Sequence, residues 1–333
     1  MSITRRRWAA ATIATAFVMA GCSGNNGAED SQASGGSGDF PTQPINLIVP
    51  YAAGGSADST ARQLAAVAQD TCGVPIIIRN ATGGSGLVGF ETTLASPADG
   101  YTVGTASIEL SMLGHMGIGD IQPDDYQGIL QYSEQPVVFG VPADSPYQSL
   151  QDVIDSEDRI TVATSGTGGI YHLGFESMSL AAGIQDRTVN VPFDGAASAL
   201  QAALGDQTDM VSVGAAEMRP HIESGALRPL AIAGAPVDYL PEDVPTLQEL
   251  GLDSETTAIL GLYTPAGVPQ DRVEILNECF NQARESEQFS NYMETTGLNQ
   301  RYRDADEFDQ FMGEEYDRYG ELINEIGMGG QQS

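Results

Sequence analysis

The chain has 333 residues, with 45 acidic against 14 basic side chains and a formal net charge of −31. Every basic residue is Arg and none is Lys; this excludes lysine chemistry such as a Schiff base, and nucleic-acid binding with it, because no basic surface exists to displace counterions. Such acidity fits either a saline setting, where salt screens self-repulsion, or a lineage-wide bias in composition.

At the N-terminus, Arg5-Arg6-Arg7 precedes an apolar run from Trp8 to Ala20 that ends in Met19-Ala20-Gly21-Cys22. A basic segment, a short apolar core and small residues before a cleavage point define a signal peptide over residues 1–21. The run is too short to span a bilayer comfortably. Cys22 after small residues resembles a bacterial lipobox, which makes Cys22 a lipidated mature N-terminus; an ordinary cleaved peptide with an incidental Cys is the alternative. Thr4-Arg5-Arg6-Arg7-Trp8 also resembles, more loosely, a twin-arginine export signal. Residues 23–39 carry no large apolar side chain before Phe40 and cannot bury enough surface to fold. Together with Cys22 they read as a lipid-anchored flexible tether over 22–39.

From residue 45 onward strands and helices alternate. Strands are predicted at 45–49, 76–79, 102–105, 136–141, 160–164, 188–191, 208–213, 230–233 and 260–264. Helices are predicted at 59–69, 86–95, 150–156, 169–182, 196–204, 217–224, 245–250, 269–286 and 304–326. The alternation implies an α/β fold with a parallel sheet covered on both faces. The last helix repeats Phe308, Phe311, Met312, Tyr316, Tyr319, Leu322, Ile323 and Ile326 at three- and four-residue spacing, a core-facing stripe. Cys72 and Cys279 are an even pair in an exported chain; a disulfide and two buried thiols are equal expectations.

Three Gly-rich turns each lead from a strand into a helix. They are Ala52-Ala53-Gly54-Gly55-Ser56, Gly83-Gly84-Ser85-Gly86 and Ser165-Gly166-Thr167-Gly168-Gly169. Glycine lets backbone approach a ligand, and the free N–H groups of a new helix favour an anion. Open α/β sheets bind ligands beyond the carboxyl ends of their strands, so the three turns together point to a captured carboxylate or phosphate. No Gly-x-Gly-x-x-Gly follows the first strand, which argues against a dinucleotide. A fourth loop, Val191-Pro192-Phe193-Asp194-Gly195-Ala196-Ala197-Ser198, also opens a helix. Phe193 and Tyr51 either wall a pocket or pack in the core. Asp58 sits where a side chain caps the first helix, which competes with a ligand contact.

Catalytic sets are thin. His115, His172 and His221 are scattered, with no His-Glu-x-x-His and no Cys-x-x-Cys, so no metal or cofactor is expected. Gly166-Thr167-Gly168 lacks the serine of a nucleophile elbow. His172 lies one turn into a candidate anion site, where a structural hydrogen bond outweighs a ligand contact.

These motifs resemble those of the substrate-binding proteins of tripartite tricarboxylate transporters, the Bug receptors. The likeness begins with Pro44-Ile45 to Asp58. It continues through Arg79-Asn80 with residues 83–86 and through Pro97-Ala98-Asp99-Gly100-Tyr101-Thr102. It resumes at Ser165-Gly166-Thr167-Gly168, His172-Leu173, residues 191–195 and Gly205-Asp206-Gln207-Thr208-Asp209. It closes with Leu240-Pro241-Glu242-Asp243-Val244-Pro245-Thr246 and Gly261 to Pro269. It runs in collinear order from residue 40 to about 327.

The resemblance implies a type II periplasmic-binding-protein-like fold of two lobes, each a mainly parallel sheet flanked by helices, with the ligand cleft between them. Lobe 1 would hold 40–140 and 260–333, and lobe 2 would hold 141–259. The ligand-binding residues it implies are Tyr51, Ala53, Gly54, Gly55, Ser56 and Asp58 on the first loop, with Gly84 and Ser85 beside them. Ser165, Gly166, Thr167, Gly168 and His172 follow on the second-lobe loop, and Phe193, Asp194, Gly195 and Ser198 on the aromatic loop. Where the family often has Tyr-Lys-Gly, this chain has Phe193-Asp194-Gly195. An Asp194 facing the cleft would disfavour a polyanion and favour a ligand with an amine; an Asp194 facing solvent would only repeat the Lys-free composition.

The function implied is that of an extracytoplasmic, lipid-anchored receptor, acting as a monomer, that captures a small carboxylate and delivers it to the membrane subunits of a tripartite importer. It would be no enzyme. A sensory receptor that presents its ligand to a membrane signalling protein is the alternative. A secreted enzyme using Ser165, Thr167 and His172 is a weaker one.

Overall fold

A computed structural model describes residues 40–330; the signal peptide, Cys22 and the tether lie outside those residues. The apolar run Ile-Asn-Leu-Ile-Val forms β1 (Ile45–Val49), almost wholly buried. It pairs in parallel with β2 (Ile76–Asn80) on one side and β3 (Thr102–Ala106) on the other. Between them run α1 (Ser56–Thr71) and α2 (Leu87–Leu94). Parallel neighbours need a helical crossover, and these two helices supply it.

The sheet then changes character. β4 (Tyr126–Pro142) is 17 residues long. Residues 126–136 pair antiparallel with β9 (Thr257–Pro265), which also pairs antiparallel with β3. Beyond Pro136, which faces Thr257, the partners become β7 (Met210–Gly214) and β8 (Leu227–Ala233), both antiparallel and both starting opposite Val137. Proline cannot donate to a ladder, so its position at the change of partner is sterically apt. β7 in turn pairs in parallel with β5 (Ile160–Thr164), and β5 with β6 (Thr188–Pro192).

The remaining helices are α3 (Leu150–Asp155), α4 (Ile170–Ala181), α5 (Ala196–Leu204), α6 (Ala215–Glu223), α7 (Gln270–Arg284), α8 (Glu287–Thr296) and α9 (Ala305–Glu325). Leu64 of α1, Leu276 and Phe280 of α7 and Phe289 of α8 pack with Leu47 of β1 and Tyr132 of β4. Leu200 of α5 and Met218 of α6 pack with Val138 and Val211. Phe90, Phe139, Phe175, Tyr263 and Phe308 belong to a third cluster that runs under both parts of the sheet. Cys72 and Cys279 are bonded, tying the end of α1 to α7 across 207 residues of sequence.

Four expectations change. The sheet is mixed, because every ladder of β4 is antiparallel. β4 begins ten residues earlier than predicted, since Ser133-Glu134-Gln135-Pro136 hides the strand's continuity. A tenth strand, β10 (Asn299–Arg303), pairs with β4 although its sequence has no apolar alternation. Residues 245–250 form a single turn instead of a helix. The Thr246 hydroxyl accepts from Glu249 N and the Glu249 carboxylate from Thr246 N, and Gly251, at φ +76°, turns the chain back so that Leu252 N reaches Leu247 O. Among the described residues no helix is long and apolar enough to cross a membrane.

Candidate functional site

The first turn is held from beneath. Asp58, 1% exposed, accepts from Gly54 N at 2.8 Å, from Arg62 Nε at 2.9 Å and from Asn80 Nδ2 at 2.7 Å. Asn80, the last residue of β2, also donates to Tyr51 O at 2.9 Å. Burial raises the Asp58 pKa, but hydrogen bonds from Arg62, Asn80 and Gly54 outweigh it and leave the group below the usual carboxylate range. The Asp58 carboxylate is thus engaged with the fold at both oxygens. Gly54 takes φ +87°, a left-handed conformation that favours glycine. Residues 52–55 are exposed, and no side chain of the N-cap Gly55 closes the start of α1.

Tyr51 points the other way. Its hydroxyl lies 2.6 Å from Ser107 Oγ and donates to Glu109 Oε2 at 3.1 Å. Burial, then the Glu109 charge, push its pKa well above the ordinary phenol value. Glu109 is 8% exposed and follows β3 closely. Its second oxygen, Oε1, accepts from Ile170 N at 3.1 Å. The first turn and the N-terminus of α4 are therefore joined through one carboxylate.

The other loops connect to this link. Ser85 Oγ donates to Thr167 O at 3.3 Å, bringing the second turn to the third. Phe193 N donates to Thr164 O at 2.8 Å, seating the aromatic loop beside the end of β5. Phe193 is half-buried against the Leu200 cluster, while Asp194 and Ser198 are exposed, with Ser198 Oγ bonded to Asp194 O. The N-cap of α5, Gly195, also lacks a side-chain cap. His172 serves its own loop: Nδ1 accepts from Gly168 N at 3.0 Å, and Nε2 lies 3.4 Å from Glu176 Oε1. An Nδ1 acting as acceptor fixes the neutral tautomer with the proton on Nε2.

Deeper in, a second polar group surrounds the end of β7. Glu217, in the first turn of α6, buries its carboxylate over Gly214; a Cβ on Gly214 would lie 2.3 Å from Glu217 Oε2 and 2.7 Å from Tyr171 Oη. A side chain at this position would displace the polar ends gathered over it. Gln135, 7% exposed on β4 next to Pro136, donates from Nε2 to Tyr171 Oη at 3.2 Å. Burial raises the Glu217 pKa above the usual carboxylate value. Burial, and then the Glu217 and Glu109 charges, raise Tyr171.

Sequence reasoning missed Glu109, Gln135, Tyr171 and Glu217. For Glu109 a signal existed: an acid set within Ala106, Ile108, Leu110, Met112 and Leu113, all buried. A hollow of about 500 Å3 lined by Asp144, Tyr147, Arg159 and Asp209 lies elsewhere, and none of the loops above lines it.

Comparison with known proteins identifies a family. The family model described as tripartite tricarboxylate transporter family receptor (TctC) matches residues 60–328. A Cupriavidus necator protein, "UPF0065 protein in gbd 5'region", is 28% identical over 294 residues, covering 87% of this chain and 89% of that one. A TctC solute binding protein from Polaromonas is 26% identical with a TM-score of 0.74, covering 86% of this chain and 99% of that one. MatC from Rhodopseudomonas palustris with bound malate shares the fold at a TM-score of 0.75 and 24% identity, over 85% of this chain and 100% of that one. The chain belongs to the tripartite tricarboxylate transporter receptor family. Its fold is that of the periplasmic solute-binding proteins of this family.

Proposed function

We propose that the protein is an extracytoplasmic solute receptor that captures a small carboxylate and hands it to the membrane subunits of a tripartite importer. The observation that carries this reading is the pair of uncapped helix starts, at α1 and α5, on exposed glycine loops at strand ends. Their amides suit a carboxylate without any Lys or Arg. Malate bound to MatC supports the ligand class.

The ligand residues are taken to be Tyr51, Ala53 to Ser56, Gly84, Ser85, Ser165 to Gly168, Phe193, Gly195 and Ser198. Asp58 and His172 serve as loop anchors. The lobes are taken as 40–140 with 260–333, and 141–259. The change of partner along β4 at Pro136, opposite Thr257 of β9, supports a hinge there. The Cys22 lipid and the tether would hold the receptor at the membrane. No step of chemistry is assigned to the site.

The test is thermal unfolding of ligand-stripped protein in high salt against mono-, di- and tricarboxylates. A ligand that binds only the native state raises the midpoint with concentration. A saturable rise with one carboxylate class is expected. No rise with any of them would remove the reading.

A further inference from the structure

Three features of the interior point to a positive partner. Glu109 is a buried acid whose oxygens meet only neutral donors, the Tyr51 hydroxyl and the Ile170 amide. Glu217 Oε2 is buried with no hydrogen-bond partner, and so is Gln135 Oε1. Among the described residues, neither Glu109 nor Glu217 has a basic side chain within salt-bridge distance.

Tyr171 connects the two acids. Its backbone adjoins the Ile170 amide held by Glu109, and its hydroxyl converges with Glu217 Oε2 over Gly214. The Gln135 amide can serve the Tyr171 hydroxyl or Glu217, but in either orientation it brings no positive charge to the two acids. Buried acceptors without donors are rare in native proteins and are unfavourable unless something fills them. The N-terminus of α4, one of the anion sites expected from the glycine turns, is already occupied by the chain's own Glu109. A second ligand carboxylate placed there would meet a like charge.

We propose that Glu109 and Glu217 are specificity-determining residues that admit a carboxylate also bearing an ammonium group, and reject the hydroxy acid or polycarboxylate of the same size. The ammonium brings the positive charge that neither carboxylate has beside it, and donors for the unpartnered Glu217 Oε2. The ligand carboxylate is left to the uncapped helices α1 and α5. This inference rests on the receptor reading above and narrows its ligand class to amino acids and related amine-bearing acids. It departs from the malate seen in MatC, whose hydroxyl carries no charge.

The experiment is calorimetric titration of the ligand-stripped full-length protein with matched pairs: aspartate and malate, glutamate and 2-hydroxyglutarate, alanine and lactate. Each pair exchanges ammonium for hydroxyl on one carbon skeleton. The ammonium member of at least one pair is expected to bind about tenfold tighter or more, the scale of a hydrogen bond to a charged group. Glu109→Gln and Glu217→Gln are each expected to shrink that ratio about tenfold. Equal or tighter binding of the hydroxy acids by the unmodified protein overturns the inference, with no variant needed. An unchanged ratio in both folded variants overturns it as well. Binding of succinate or adipate with no amine-bearing acid overturns this inference and leaves the receptor reading standing. Binding of no carboxylate at all removes both.

Discussion

Glu109 Oε1 accepts a 3.1 Å hydrogen bond from the backbone N–H of Ile170, the first residue of α4. The two residues are 61 positions apart, and the bond lets an acid on the loop after β3 cap a helix whose own N-cap, Gly169, has no side chain to offer. Through Tyr51 the same carboxylate reaches the first glycine turn. Glu109→Ala is therefore expected to loosen the start of α4 specifically. Amide exchange at Ile170 should quicken by about tenfold or more, since a hydrogen bond to a charged group contributes roughly 1.5–3 kcal/mol. Unchanged exchange at Ile170 would show that the bond does not hold the two elements together.

Asp58 anchors the first turn through Gly54, Arg62 and Asn80. Asp58→Ala leaves those donors without an acceptor and should lower stability by about 2 kcal/mol, the scale of an unsatisfied buried group. The pKa is depressed in the folded protein. Its contribution is thus present above the unfolded carboxylate value and is lost as pH falls through the folded one. Urea unfolding at pH 7 and pH 3 checks both statements: the gap between wild type and Asp58→Asn should narrow in acid. A gap independent of pH would contradict the assigned ionised state.

The sequence made some of this legible and hid the rest for physical reasons. The passage from β1 through Gly54-Gly55 into α1 could be read because an apolar run, paired glycines and a helical stripe are local signals. β10 could not, because Asn299 to Arg303 carries no periodic burial and is ordered by its ladder with β4. Residues 245–250 are predicted as a helix, yet Gly251 closes the chain after one turn. Asp58 was legible as a cap, whereas its bond to Asn80 depends on β2 lying beside β1. Glu217 was invisible as a site residue for the same reason, and Glu109 showed only as an acid within an apolar run, with nothing to say what it would meet. An acid near a strand end is ordinary until folding places a distant helix start or an apposed glycine against it.

Asp309 on α9 accepts from Gly128 N at 2.6 Å, and burial raises its pKa to about 6. A carboxyl raised above its unfolded value contributes stability that is complete below that unfolded value and is lost as pH rises through the folded one. The loss should fall between about pH 4 and pH 6. Asp309→Asn keeps the acceptor for Gly128 and removes the charge. The variant should lack this part of the pH dependence and gain on the order of 1 kcal/mol at pH 7, an amount discounted for the partial exposure of the site. Parallel pH profiles for the two proteins would rule out a strained Asp309.

The Cys72–Cys279 bond closes a span of 207 residues and ties α1 to α7, whose side chains share one buried cluster. Cross-linking so long a loop restricts the unfolded chain strongly, and losing a native disulfide costs about 2–5 kcal/mol. Cys72→Ser combined with Cys279→Ser should lower the urea midpoint accordingly and raise the slope of the transition, because the uncross-linked chain exposes more surface on unfolding. A reductant acting on the wild type should reproduce both changes and leave the double variant unaffected. Identical midpoints for oxidised wild type and double variant would mean that the bond contributes nothing, and that packing of α1 on α7 alone holds these segments.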